Sequence, residues 1–138
     1  MKKLLIISLS FLFFVFSGQV FSEGEETPLQ LAGAKTITVD QAKAMFDAGV
    51  VFVDPRKDTD WDAGRIPEAE HLELTSRFSA KSLSRFVKQD DPVVFYCNGV
   101  KCKVSYDAAE KAVGWGFSDV NWFRGGMPDW KNAGYPVE

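Results

Sequence analysis

The stretch VVFYCNGVKCK, residues 93–103, decides the fold. Its first four residues are all apolar, which is the pattern of a strand buried on both faces of a parallel sheet. A short loop containing Gly99 follows at once, and Ser105 to Val113 is typical of a helix with Ser105 as a candidate N-cap. A strand, a tight loop and a helix in direct succession predict one unit of an α/β domain.

The rest of the chain repeats this alternation of short apolar runs and helical segments. Such an order favours an α/β fold with a mostly parallel sheet. Residues 82–88 are long enough for only a turn or two of helix. We predict further strands at residues 35–39, 50–53, 69–74 and 120–123, and further helices at residues 40–47, 82–88 and 127–133.

The first 22 residues have the layout of a secretory signal peptide. Lys2 and Lys3 precede an almost unbroken apolar run from Leu4 to Phe16. Ser17-Gly18-Gln19 then interrupts the run, and Ser22 offers a small residue at the cut position, with the aliphatic Val20 two places earlier. The run is too short to span a bilayer comfortably, although an uncleaved N-terminal anchor is the alternative. We expect an exported protein, with the periplasm as its compartment. The predicted organisation is a signal peptide at residues 1–22, a flexible acidic lead-in at residues 23–34 and one domain at residues 35–138.

The charge balance limits the expected partners. Sixteen Lys and Arg residues face nineteen Asp and Glu residues, and removing the two lysines of the signal peptide leaves a net charge of −5. A mildly acidic domain without a basic run gives no reason to expect nucleic acid as a partner. We also expect no stable membrane insertion once the signal peptide is cleaved.

Cys97 and Cys102 are the two cysteines, and both lie in the loop after the central strand. An even pair in an exported protein can be a structural disulfide, but a crosslink five positions apart closes a small loop and gains little stability. Backbone N–H groups of a Gly-containing loop, together with the start of a helix, can instead hold a thiolate or an anion. Lys101 and Lys103 would add positive charge. This cradle suits thiosulfate, phosphate or arsenate, so it does not by itself select a substrate.

No metal site and no cofactor is predicted. His71 is the single histidine, and it has no partners at the spacing of zinc ligands. A Cys–His nucleophile pair is weakly supported for the same reason, and a structural role for His71 is the better interpretation.

Two further segments resemble the rhodanese family. VFVDPR at residues 51–56, followed by WDAGRIPEA at residues 61–69, is similar to the first signature of that family. WFRGGMPDW at residues 122–130, followed by AGYPV at residues 133–137, is similar to its C-terminal signature. The resemblance covers residues 37–137 and implies a five-stranded, mostly parallel sheet flanked by helices, with the catalytic cysteine after the fourth strand.

The resemblance also implies a chemistry and assigns residues to it. Cys97 would attack the outer sulfur of a small donor anion such as thiosulfate, carry that sulfur as a persulfide and pass it to a thiol or protein acceptor. Cys102 is a candidate resolving thiol, and Asp54 and Arg56 would brace the loop. The predicted substrate-binding loop consists of Asn98, Gly99, Val100, Lys101, Cys102 and Lys103.

This chain departs from the family pattern within the loop. The stretch from Cys97 to Lys103 has seven residues and ends in lysine, where the common sulfurtransferase loop has six and ends in arginine. Seven-residue loops resemble those of related phosphatases and arsenate reductases, but lysine lacks the planar fork that grips a phosphate. Sulfur transfer is therefore the leading hypothesis. The alternatives are thiol–disulfide redox chemistry of Cys97 and Cys102, an arsenate reductase or phosphatase, and a non-catalytic binding module with a locked disulfide.

Overall fold

The structure is a computed structural model, and it describes residues 24–138. The predicted signal peptide at residues 1–22 lies outside the described residues. Within the described part of the chain, no helix is long and apolar enough to cross a membrane.

A five-stranded sheet forms the centre of the domain. Its strands run in the order β1-β5-β4-β2-β3, and every neighbouring pair is parallel. This arrangement confirms the predicted fold class. The strands are β1 Ala34–Thr36, β2 Val51–Asp54, β3 Glu70–His71, β4 Pro92–Tyr96 and β5 Asp119–Phe123.

Five helices flank the sheet. Two predictions about them need correction. The short helix expected at residues 82–88 begins two residues earlier, as the single turn Ala80–Leu83, and the N-cap of the fourth helix is Lys103 rather than Ser105, which lies inside the first turn. The helices are α1 Val39–Asp47, α2 Asp58–Ala63, α3 Ala80–Leu83, α4 Val104–Gly114 and α5 Gly126–Asn132.

The apolar run of β4 is explained by a hydrophobic core on each face of the sheet. Val93 and Phe95 belong to the core that α3 and α4 cover, whereas Val94 and Tyr96 belong to the core that α1 and α5 cover. All four side chains are fully buried. Because β4 is the middle strand and its two faces are both covered, the loop that follows it starts from a rigid base.

The lead-in differs from the flexible segment predicted at residues 23–34. Leu31 is buried in the core beneath α4, and Thr27 is buried against the loop that follows β4. The Thr27 N–H and its hydroxyl group both donate to the Val100 carbonyl oxygen, each over 2.7 Å. Arg124 donates to the Thr27 carbonyl oxygen over 2.7 Å and forms an ion pair with Glu26. Residues 24–31 are therefore an ordered strap, and we call them the N-terminal strap below.

Candidate functional site

The loop of residues 97–103 lies at the carboxyl end of the sheet, between β4 and α4. The start of α5 packs directly against it, since the Met127 N–H donates to the Cys97 carbonyl oxygen over 2.9 Å. Gly126 has a φ of +56°, and a Cβ at this position would overlap the same carbonyl group. The glycine pair at the start of α5 thus permits the close approach that fixes the first residue of the loop.

Cys97 is buried beneath the loop, with 1% of its surface exposed. Its Sγ lies 2.9 Å from the Ser105 hydroxyl oxygen and receives the Ser105 N–H over 3.4 Å. The Trp122 indole N–H donates to the same hydroxyl oxygen over 3.0 Å, which leaves the hydroxyl proton free to point at the sulfur. Burial raises the pKa of the Cys97 thiol, and its hydrogen bond to Cys102 raises that pKa further.

Cys102 is the more accessible sulfur and the better stabilised thiolate. The hydrogen bond from the Cys97 thiol lowers the pKa of Cys102 to about 6, against the opposing effect of burial, and the N–H groups of Asn98 and Val104 act in the same direction. From its position directly after the strand, Cys97 is expected to have the lower pKa of the two cysteines, and the direction of the pKa shifts is the opposite. The two cysteines are free thiols, with the Cys97 Sγ 3.3 Å from the Cys102 carbonyl oxygen.

Asp54 and Arg56 hold the first turn of the loop from below. Both side chains are buried, and Arg56 Nη2 lies 2.6 Å from Asp54 Oδ2. Arg56 Nη1 then donates to Asn98 Oδ1 over 2.9 Å, and Asn98 donates in turn to Asp60 over 3.1 Å. His71 Nε2 lies 2.7 Å from the Arg56 carbonyl oxygen, and the His71 ring stacks on Trp61. This network positions Asn98, the loop residue that follows Cys97.

The remaining loop residues divide between two sides of the loop. Gly99 is buried with a φ of +117°, and its carbonyl oxygen receives the Cys102 N–H over 3.0 Å. Lys101 and Lys103 are exposed and line a cavity of about 600 Å³ beside the N-terminal strap. Lys103 Nζ lies 3.8 Å from Asp107 Oδ1. The two lysines therefore do not join the cysteines in the way that the sequence predicts.

A cavity of about 340 Å³ opens beside Cys102. Its walls, all formed by described residues, include Cys102 but not Cys97. Within residues 24–138, no three His, Cys, Asp or Glu side chains lie close enough together to hold a metal ion. The charged or polar side chains in the wall are Arg56, Lys57, Asp60, Glu73, Thr75 and Asn98.

Sequence reasoning missed several residues of the site. Ser105 contacts the Cys97 sulfur directly, Trp122 orients Ser105, and Thr27 holds the loop from outside the domain. A serine at a helix start was a visible signal, but it indicated a cap rather than a sulfur ligand. Thr27 carries no signal in the sequence that points to the loop.

The chain is similar in sequence to known sulfurtransferases and matches one family model. The thiosulfate sulfurtransferase GlpE of Pseudomonas syringae is 34% identical to this chain over 107 residues, covering 75% of this chain and 92% of GlpE. The family described as Rhodanese-like domain matches residues 38–133.

Two solved structures share the architecture. The BH2092 protein of Bacillus halodurans superposes with a TM-score of 0.66 at 20% identity, covering 75% of this chain and 76% of that one. RPA3614 of Rhodopseudomonas palustris, described as a protein of unknown function and possible tyrosine phosphatase, superposes with a TM-score of 0.60 at 30% identity, covering 76% of this chain and 85% of that one. The family match over residues 38–133 covers more than half of the chain, and the fold agrees with it, so this chain belongs to the family of rhodanese-like domains.

Proposed function

We propose that this chain transfers sulfane sulfur from a small donor such as thiosulfate to a thiophilic acceptor, through a persulfide on the cysteine pair of the loop. The observation that carries the proposal is the pair itself. Cys97 and Cys102 are free thiols in the loop between β4 and α4, with the Cys97 Sγ 3.3 Å from the Cys102 carbonyl oxygen, in a chain related to sulfurtransferases. A thiolate beside a cavity can attack the outer sulfur of a donor, and the donor's remainder then leaves with the bonding electrons.

The surroundings of the sulfurs suit a persulfide. The Ser105 N–H donates to the Cys97 sulfur over 3.4 Å, and the backbone N–H groups of Asn98 and Val104 lower the pKa of Cys102. Donors that are fixed before the reaction stabilise a sulfur anion without reorganising. By analogy with the family, the position of Cys97 directly after β4 supports Cys97 as the residue that carries the persulfide. The greater accessibility of Cys102 supports Cys102 in that role. The proposed function holds for either assignment.

Phosphoryl transfer is the second candidate, because RPA3614 is described as a possible tyrosine phosphatase. The geometry favours it less. Arg56 is neutralised by Asp54, and Lys103 lies near Asp107 beside the other cavity. Asp60 and Glu73 place two further carboxylates in the wall of the cavity at Cys102. A phosphate ester would find no unpaired guanidinium fork there.

The test is a comparison of two activities in three proteins. Wild type should convert thiosulfate and cyanide into thiocyanate and should show negligible hydrolysis of aryl phosphates. The double variant Cys97→Ser/Cys102→Ser should lose the sulfur transfer, whereas Lys81→Met, an exposed change on α3, is the matched control and should retain it. Phosphatase activity that requires the cysteine pair, without sulfur transfer, would reverse the assignment.

Export is a separate proposal that rests on the sequence of residues 1–22. We expect the mature protein to begin near Glu23 and to occur in the exported fraction. N-terminal sequencing of the protein from each cell fraction measures this. Met1 retained on membrane-bound protein would contradict it and would favour an uncleaved anchor.

A further inference from the structure

The two sulfurs of the loop differ in what they can reach. Cys97 is 1% exposed and is enclosed by Ser105, while Cys102 is half-buried and lines the cavity of about 340 Å³. A donor molecule that enters this cavity meets the Cys102 sulfur first. Cys97 is the more deeply buried of the two, and its Sγ lies 3.3 Å from the Cys102 carbonyl oxygen.

A sulfur atom added to Cys97 would have little room. The Cys97 Sγ already contacts the Ser105 hydroxyl group at 2.9 Å, the Ser105 N–H at 3.4 Å and the Cys102 carbonyl oxygen at 3.3 Å. A persulfide on Cys97 therefore requires the loop to move, whereas a persulfide on Cys102 extends into existing space.

We propose that Cys102 takes up the sulfur and that Cys97 then resolves the Cys102 persulfide, releasing hydrosulfide and closing a Cys97–Cys102 disulfide. This inference rests on the proposed function and adds a second activity, the reduction of sulfane sulfur. It also gives the buried thiol a role that its position permits, since Cys97 can reach Cys102 without leaving the interior.

The chemistry balances in two steps. In the first, the Cys102 thiolate forms a bond to the outer sulfur of the donor, the sulfur–sulfur bond of the donor breaks, and the remainder leaves with the electron pair. In the second, the Cys97 sulfur attacks the Cys102 sulfur, the bond from Cys102 to the outer sulfur breaks, and the outer sulfur leaves as hydrosulfide with the proton of the Cys97 thiol. Two thiols are oxidised to a disulfide, and one sulfane sulfur is reduced to sulfide. An external dithiol reductant returns the pair to thiols.

Ser105 is placed to assist the second step. Its N–H and hydroxyl groups both face the Cys97 sulfur, and they favour the thiolate form of Cys97. Trp122 holds the hydroxyl oxygen from the other side, so the hydroxyl proton remains available to that sulfur as negative charge develops on it.

Loading of reduced protein with thiosulfate, followed by desalting and intact mass spectrometry, tests the order of the cysteines. Cys97→Ser should gain one sulfur atom that stays on the peptide containing Cys102. Cys102→Ser should load at least about tenfold more slowly, because its remaining thiol is buried and protonated. Each variant is the matched control of the other. Loading of Cys102→Ser at the wild-type rate overturns the inference and leaves the proposed function intact.

Wild-type protein provides a measurement that needs no variant. One loading cycle should release one hydrosulfide per chain and leave a disulfide, and dithiothreitol should restore repeated release. A wild-type persulfide that persists, with no hydrosulfide and no disulfide, overturns the inference alone. Failure of wild type and of both variants to take up any sulfur overturns the proposed function as well.

Discussion

Arg56→Met should destabilise the domain strongly, because it leaves the Asp54 carboxylate buried without its cation. Asp54 is 0% exposed, and Arg56 Nε and Nη2 contact its two oxygens at 2.6–3.1 Å. After the change, residue 56 still donates its backbone N–H to Asp54 Oδ1, a bond of 3.0 Å in the wild type, but none of its side-chain hydrogen bonds to Asp54 remains. Removing one partner of a buried ion pair costs about 3–5 kcal/mol. This is a large share of the roughly 5–15 kcal/mol that stabilises a typical domain.

Urea unfolding measures the effect. With a slope of about 2 kcal/mol per molar urea, a loss of about 4 kcal/mol lowers the midpoint by about 2 M. Lys57→Met removes the same charge from the exposed neighbouring residue and should stay within about 0.5 kcal/mol of wild type. The double variant Asp54→Asn/Arg56→Met should regain part of the loss, because no buried charge remains. A loss below about 1 kcal/mol in Arg56→Met would refute the reasoning.

Three further predictions follow from the loop. The rate of Cys102 alkylation by iodoacetamide should reach its plateau above the pKa of about 6 and fall about tenfold per pH unit below it, because the thiolate is protonated there. Cys97→Ala should move the midpoint of this pH–rate profile upward. A wild-type alkylation rate that still rises between pH 7 and 8 contradicts the prediction. Gly126→Ala should lose more thermal stability than Gly134→Ala. Both glycines have a positive φ, which costs an alanine about 1–2 kcal/mol of strain, but of these two only Gly126 also contacts the loop. Equal losses would show that the close approach of Gly126 to the loop is unimportant. Thr27→Val removes one hydrogen bond to the loop and should lower the free energy of unfolding by about 1 kcal/mol and slow sulfur uptake, and an unchanged uptake rate would assign the N-terminal strap a purely structural role.

The sequence predicts the fold well because its signals are local. The apolar run before Cys97 has no polar face, so burial on both sides is its natural environment, and the structure places that strand in the middle of the sheet. The resemblance also led to Asp54 and Arg56 as a brace, and Arg56 does hold Asn98. Each of these expectations depends on a short stretch of chain or on a family motif.

The environment of each sulfur could not be predicted in the same way. The burial of Cys97 depends on Ser105, eight positions further along, and the orientation of Ser105 depends on Trp122, another seventeen positions away. A serine at the start of a helix usually caps it, so the sequence favours an outward hydroxyl group. Here the residue lies inside the first turn, and its side chain faces the core instead.

The order of residues 24–31 was equally hidden. An acidic segment containing proline has the composition of a flexible terminus. Its order depends on Arg124, which lies 97 positions away from Thr27 and donates to it from the end of β5. A pattern within a short stretch of sequence cannot predict a contact between residues so far apart along the chain.

The N-terminal strap bears on where a recombinant boundary is drawn. The family match begins at residue 38, so a fragment trimmed to that homology would lack Thr27 and Leu31. The Val100 carbonyl group would lose both of its donors, and part of the core beneath α4 would be open. Such a fragment would report the reactivity of a loosened loop. Assays of this protein therefore need the complete strap.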